Sequence, residues 1–235
     1  MRRVQDVFVC FDEALWDPGE DACAIYSVGI ANDYRFDEIL ARNLTHCRVF
    51  MFDPTEKHAN ETLPVPDRMR FWSWGIHGGS KIASAGRLAG DSSGSADTAE
   101  AWIQRRGFLE PQMRTVPEIM AHLGHRRLSL LKLDCEGCEW AVLAGAAPWL
   151  PFVNQLVLEM HFAANYQVHE REDVALCAAA SRAIRDAGLQ RVQVEESKPC
   201  GPTENSLGTF NIVHEDLEDL ACAAFLIATY VRRNA

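Results

Sequence analysis

The stretch Ser129 to Trp140, SLLKLDCEGCEW, constrains the fold of this chain more than any other. Leu130, Leu131 and Leu133 form an apolar run broken only by Lys132. So short a run, entered from Arg126-Arg127, suits a buried parallel strand better than a helix. It stops on Asp134, Glu136 and Gly137, and Glu139, Trp140 and Val142 then open a helical pattern. In an open α/β sheet, ligands bind beyond the carboxyl ends of the strands, which is where Asp134 and Glu136 fall. The competing reading is that Gly137 makes the turn and both acids cap the helix at its positive end. A motif this short matches often by chance, so the rest of the chain has to decide.

At 235 residues the chain holds one substantial domain, or at most two small ones. A net charge of −10 argues against nucleic acid and against an anionic membrane surface, while leaving a small anionic substrate open. The eight cysteines lie mostly inside apolar or strand-like stretches such as VFVCF and HCRVF, which reads as buried reduced thiols and not a disulfide framework. The one C-x-x-C, Cys135 to Cys138, has no second pair at zinc-ribbon spacing, so no structural zinc is expected. The N-terminus, interrupted by Asp6, Asp12 and Glu13, does not read as a signal peptide, and the run Leu220 to Val231 is too short to cross a bilayer. A soluble, cytoplasmic protein is the expectation.

Residues 1–20 read as an amphipathic N-terminal extension ended by Asp17-Pro18-Gly19. Strands are expected at Cys23 to Gly29, Cys47 to Phe52, Met69 to Trp74, Gln155 to Met160, Gln190 to Val194 and Phe225 to Val231, beside the central one. A helix is expected over Tyr34 to Asn43, with Phe36, Ile39 and Leu40 on one face. Thr115-Val116-Pro117-Glu118 carries a capping box with proline just inside, and a long helix from about Glu172 stops before Gly188. Residues 79–98, rich in Gly, Ser and Ala, read as a surface loop inserted within one domain. Strands alternating with helices predict an α/β fold with a largely parallel sheet.

Three strand ends carry the candidate chemistry. Ser27-Val28-Gly29 leads into a helix like a nucleotide-binding first turn, though the full glycine fingerprint is missing. Asp53 ends the next strand, where an acid can accept from both ribose hydroxyls, or simply form an Asp-Pro turn. The third is the Asp134/Glu136 turn. Taken in order, YSVGIANDYRFDEILA, VFMFDPT, LLKLDCEGCEWAVLAGA and LVLEMHF resemble the FkbM-type branch of the S-adenosylmethionine-dependent methyltransferases, over about residues 22–233. The most specific piece matches that family's K-x-D-x-E-G-x-E pattern.

The resemblance implies a Rossmann-like, seven-stranded, mostly parallel sheet with helices on both faces and an antiparallel last strand. It also implies S-adenosyl-L-methionine as cofactor and a single methyltransferase-like domain over 1–235. By position, Ser27 and Gly29 would approach the methionine part, Asp53 the ribose, and Gly75, Ile76 and their neighbours to Gly78 the adenine. Asp134, with Glu136 beside it, would lie near the transferred methyl. One glycine in the first turn, followed by Ala31, Asn32 and Asp33, departs from the usual two or three.

Methyl transfer to a hydroxyl needs alignment and a proton acceptor. His161, following the strand next to Asp134, is the candidate base; the other reading makes it a structural histidine paired to Glu159 or Glu136. Asp134, Glu159 and His161 could together hold a divalent metal, but no metal-binding pair flanks them and none is expected. Trp72, Trp74, Trp140 and Trp149 read as core, and His122/His125 as a solvated helix end. Asn165, Tyr166 and His169, with the loop Ser197 to Leu207, would line an acceptor pocket by fold analogy. The expected activity is methylation of a small-molecule or sugar-like hydroxyl. The rival is a catalytically degenerate protein of the same family that still binds cofactor. A nicotinamide-dependent oxidoreductase would need the missing glycine fingerprint.

Overall fold

β3, Cys23–Val28, is an interior strand of the sheet, with all six of its residues buried. The computed structural model describes residues 1–16, 23–30, 33–54, 63–78, 112–135, 138–161, 171–196 and 225–232. Before β3, β1 (Arg2–Val4) and β2 (Val7–Val9) form an antiparallel hairpin turned at Gln5, and a single helical turn, α1, covers Glu13–Trp16. After it come α2 (Arg35–Asn43), β4 (Cys47–Phe52) and β5 (Met69–Trp72). Two short strands, β6 (Trp74–Ile76) and β7 (Gln112–Arg114), precede α3 (Val116–Leu123). The chain then runs through β8 (Leu130–Leu133), α4 (Glu139–Ala144), β9 (Gln155–His161), α5 (Arg171–Asp186), β10 (Leu189–Glu196) and β11 (Phe225–Arg232).

Seven strands form one sheet in the order β10-β11-β9-β8-β3-β4-β5. The five from β5 to β9 are parallel, and β11 runs antiparallel to both β9 and β10. This is the expected Rossmann-like α/β fold. The chain builds outward from β3 to β5, then restarts on the other side of β3 at β8. The strand order therefore reverses between β3 and β8, and at such a switch point the two carboxyl ends leave a crevice.

Period-two alternation sorts the sheet's side chains between two cores. Ala24, Tyr26, Val28, Leu131 and Leu133 pack with α3, α4 and α5 on one face. Ile25, Val49, Met51, Leu130 and Val157 pack with α2, α1 and the hairpin on the other. Residues 1–16 are thus part of the second core and not an appendage. Val4, Val9, Leu15 and Trp16 are buried there, and Thr229 Oγ1 donates to the Phe8 carbonyl at 2.6 Å.

The caps follow the sequence closely. Thr115 Oγ1 accepts from the Glu118 N–H at 3.3 Å while Glu118 Oε2 accepts from the Thr115 N–H at 2.7 Å, and Gly124 ends α3 in the left-handed conformation. α2 differs in one respect. Its buried face is Phe36, Asp37, Leu40 and Ala41, and Ile39 is exposed. The apolar stripe is rotated from the expected one because it takes in a carboxylate, for reasons the neighbouring strand supplies.

Candidate functional site

At the switch point, the ends of four strands are laced together through backbone groups. Gly29 N–H donates to the Phe52 carbonyl at 3.0 Å, and Asp134 N–H to the Val28 carbonyl at 3.2 Å. Asp53 N–H reaches the Trp72 carbonyl at 3.2 Å. Gly29 turns with φ +74°, and a Cβ there would overlap the carbonyl of Asp134. Glycine is therefore required at this turn both for conformation and for space. Asp53, only 4% exposed, accepts from the Ile30 N–H at 3.0 Å, so this acid is tied to the first turn itself.

Ser27, Gly29, Asp53 and Asp134 are thus brought to one place, with Ser27 a layer lower. Ser27 faces Lys132 across the β3–β8 ladder, and its backbone lies within the sheet. From that layer the Lys132 ammonium reaches two groups at the crevice, the Gly29 carbonyl at 3.0 Å and Asp134 Oδ2 at 2.9 Å. The same ammonium lies over the Phe36 ring of α2, 6.0 Å from the ring centre. Asp37, one residue further along α2, is buried against this group, which explains the rotated face of the helix. Burial pushes the Asp37 carboxyl up to about 6, opposed by the positive charge of Lys132 and by the nearby Ser27 hydroxyl. Ser27 Oγ and Asp37 Oδ1 are both buried and close, yet neither makes a hydrogen bond of normal geometry. Asp37 belongs to no motif and reads as a helix-surface acid; Lys132 opens the K-x-D-x-E-G-x-E pattern, but nothing in that pattern says that it reaches back to the β3 turn.

Asp33 is engaged elsewhere. Its carboxylate takes Arg35 Nε at 2.8 Å and Gln5 Nε2 at 2.7 Å, and the hydrogen bond from Arg35 holds its pKa far below the carboxylate range.

Beyond Asp134 the structure corrects the reading of the cysteines. Cys135 and Cys138 are joined in a disulfide, with Cα atoms 5.4 Å apart, that closes the loop between β8 and α4. Cys135 N–H donates to Glu139 Oε1 at 2.7 Å, and Glu139 is fully buried at the start of α4. A second disulfide joins Cys23 and Cys47, the directly opposed first residues of β3 and β4. Strand pairing alone sets these two side by side, which the apolar surroundings of each cysteine in the sequence conceal. Among the described residues, Cys10 and Cys177 take part in no disulfide. Among the described residues, Cys23, Cys47 and His46 form the one cluster with donor atoms close enough for a metal, within 4.8 Å. With both sulfurs bonded to each other, neither offers a thiolate. Glu136 and Gly137 lie outside the described residues.

Gly75 and Ile76 require a second correction. They form no turn at the end of the third sheet strand, because that strand stops at Trp72. After Ser73, Trp74–Ile76 becomes β6, which pairs in parallel with β7. At Gly75 a Cβ would meet the flexible end of the Met113 side chain, which would have to shift, and would lie 3.4 Å from Pro54, the residue after Asp53. Gly78 and Gly145 likewise pack backbone to backbone at the end of α4. The segment from Trp74 to Gly78 therefore passes from beside Asp53 across to α4.

Trp74 is buried, stacks on Phe52 at 6.0 Å, and carries the Arg114 guanidinium 4.6 Å from its ring centre. Trp140 and Trp149 are core, as expected. His125 is not simply solvated: its Nδ1 pairs with the buried Tyr26 hydroxyl at 2.8 Å. His161 is the last residue of β9, opposite Phe225, at the same edge of the sheet as Asp134. The expected acceptor loops, with Asn165, Tyr166, His169 and Ser197 to Leu207, and the insertion at 79–98, lie outside the described residues.

No curated protein matches the sequence. Several solved structures share a likeness with it. One is an O-methyltransferase family 2 protein from Planctomyces limnophilus in complex with apigenin, 13% identical, with 92% of this chain and 52% of that chain covered and a TM-score of 0.35. The chain thus spans about half the length of that protein. Another is the antibiotic-resistance methyltransferase Kmr, 16% identical, with 94% and 91% covered and a TM-score of 0.34. A third is the plantazolicin methyltransferase BpumL in complex with SAH, 10% identical, with 90% and 76% covered and a TM-score of 0.32. A family model described as a methyltransferase domain matches residues 6–180, well over half of the 235. By that match, the chain belongs to a family of methyltransferase domains.

Proposed function

We propose that this protein transfers a methyl group from S-adenosylmethionine to a hydroxyl of a small, sugar-like molecule, in the manner of the FkbM-type enzymes its motifs resemble. One observation carries the reading. A buried acid, Asp53, sits at the end of β4 bonded to the first turn at Ile30, while Gly29 in that turn lies against Asp134 with no space for a side chain. Such a glycine-tight turn, with an acid at the next strand end, suits the ribose and amino-acid ends of an adenosyl cofactor at a switch point. Asp53 would hold the ribose, the Gly29 turn and Asp134 the amino-acid end, and Gly75 with Ile76 the base side.

The cofactor, when bound, supplies a methyl group on a sulfonium as the electrophile. The chain's own task is to align the acceptor and take its proton. His161, at the carboxyl end of β9 beside the β8 end that carries Asp134, is assigned the base, since an imidazole can take a proton from a hydroxyl. Asp134, held by Lys132, is assigned to the reacting end of the site.

The test is calorimetric titration of S-adenosylhomocysteine into the wild type and into Asp53→Ala. Removing a charged partner of the ribose should weaken binding by roughly ten- to a hundredfold. Absence of heat with the wild type would sink the reading. A second reading, a cofactor-binding protein without catalysis, is favoured by the single glycine of the first turn. Tight S-adenosylhomocysteine binding without product across a panel of hydroxylated acceptors would select it.

A further inference from the structure

Lys132 stands at the meeting point of three elements. Its ammonium is bonded to the Gly29 carbonyl in the β3 turn and to Asp134 Oδ2 at the end of β8, and it interacts electrostatically with Asp37 on α2. The side chain is only 12% exposed. An ammonium taken this far out of water is costly unless charge and hydrogen bonds compensate. Asp37 and Asp134 supply the charge, and Gly29 supplies a carbonyl.

Two explanations fit a buried lysine among acids. In one, Lys132 merely neutralises Asp37, and the pair is internal scaffolding. In the other, Asp37 is there to hold Lys132, and Lys132 is there to fix the crevice. The geometry separates them. Both of the lysine's hydrogen bonds go to groups at the crevice, and none of normal geometry goes to Asp37 Oδ1, which has no hydrogen-bond partner. Ser27, the neighbour of Lys132 in the ladder, is a small polar residue whose hydroxyl lies beside the Asp37 carboxyl. The order of dependence runs from α2 through the lysine to the turn.

We propose that Lys132 is the positioning residue of the cofactor site, locking the Gly29 turn to the Asp134 carboxylate in the geometry that binds the cofactor, with Asp37 as its buried counter-ion. The inference rests on the functional reading above and deepens it. A preorganised turn binds without a further ordering cost, so loosening it weakens the ligand even where no contact to the ligand is removed.

The test uses thermal unfolding and calorimetric titration of S-adenosylhomocysteine on the wild type, Lys132→Met, Asp37→Asn, the double variant and Lys132→Arg. Lys132→Met leaves Asp37 buried without its cation, so both stability and affinity should drop, the affinity by tenfold or more. Asp37→Asn removes the counter-ion but leaves the two crevice hydrogen bonds, so it should weaken affinity by less than Lys132→Met does. The double variant removes both charges and should recover the melting temperature while affinity stays low. Lys132→Arg, which keeps a cationic donor, should recover part of the affinity lost in Lys132→Met. A double variant that regains affinity together with stability would reduce Lys132 to scaffolding and overturn the proposal. So would wild-type affinity in Lys132→Met. If the wild type itself binds no S-adenosylhomocysteine, the cofactor reading falls and takes this inference with it; the two failures are thereby distinct.

Discussion

Gly29 and Asp134 meet backbone against backbone, so closely that the space a Cβ would fill at Gly29 is taken by the Asp134 carbonyl. Two strands that are neighbours in the sheet but far apart in sequence are thus fastened at their carboxyl ends, and every candidate cofactor contact is referenced to that junction. Gly29→Ala must both adopt φ near +74° and push β3 from β8. The left-handed conformation alone costs roughly 1 kcal/mol for a side chain, and the overlap adds to it. The expected result is a melting temperature lowered by several degrees and no measurable S-adenosylhomocysteine binding. Wild-type binding by Gly29→Ala would show that the junction is looser than its geometry implies.

The buried carboxyl of Asp37 makes stability depend on pH in an unusual direction. Its ordinary value is 3.8, and burial raises it to about 6 in the folded protein. The folded state therefore takes up the proton more readily than the unfolded chain between those values. Stability from this group falls as pH rises from about 4 to 6, and the penalty is fully present above 6. A displacement of that size corresponds to roughly 3 kcal/mol. Denaturant titrations of the wild type and Asp37→Asn should therefore diverge above pH 6, the variant being the more stable, and the gap should narrow toward pH 4. A constant gap across that range would mean that Asp37 stays ionised throughout.

The two disulfides differ in what they constrain. Cys23–Cys47 spans a sequence separation of 24 and Cys135–Cys138 a separation of 3. On a loop-closure account the first is worth about 3.5 kcal/mol and the second about 2. Under non-reducing conditions, Cys23→Ala/Cys47→Ala should lose more stability than Cys135→Ala/Cys138→Ala. With excess thiol reductant present, the wild type should lose most of its advantage over either. Peptide mapping after alkylation without reduction checks the pairing directly, and free thiols at Cys23 and Cys47 would refute it.

The sequence makes the strands and their order legible for a physical reason. A parallel sheet buried on both faces needs unbroken apolar runs, and CAIYSV, CRVFMF, LLKL and QLVLEM supply them within a residue or two of their observed bounds. Helix ends were equally plain where a cap is a matter of local hydrogen bonding, as at Thr115 and Gly188. Gly29, Asp53 and Asp134 could be placed together because strand ends in this topology converge. Three features are not local and were missed. Cys23 and Cys47 become partners only when β3 and β4 pair in register. Gly75 passes into a second small sheet because residues about forty positions later, around Met113, form its other strand. The Asp37–Lys132 array joins a helix to a strand about a hundred residues on, and an acid in a helix's first turn gives no sign of being buried.

Thr115 offers a test of whether stability and cofactor binding are separable in this fold. Its hydroxyl and the Glu118 carboxylate close the start of α3, on the side of the sheet opposite Asp37 and Lys132. Hydrogen bonds from the Thr115 backbone and side chain hold the Glu118 carboxyl below its usual range, in the reverse sense to Asp37. A carboxyl lowered in the folded state contributes stability that is lost as pH falls, so this cap weakens in acid while Asp37 is relieved. Thr115→Ala removes the side-chain acceptor of the Glu118 N–H and should cost about 1 kcal/mol. Because α3 packs in the core on the face of β3 turned away from Asp37 and Lys132, S-adenosylhomocysteine affinity should stay within about twofold of the wild type while the melting temperature drops by a few degrees. A parallel fall in affinity would mean that the crevice tracks global stability, and the losses expected for Gly29→Ala and Lys132→Met would then need to be judged against that background.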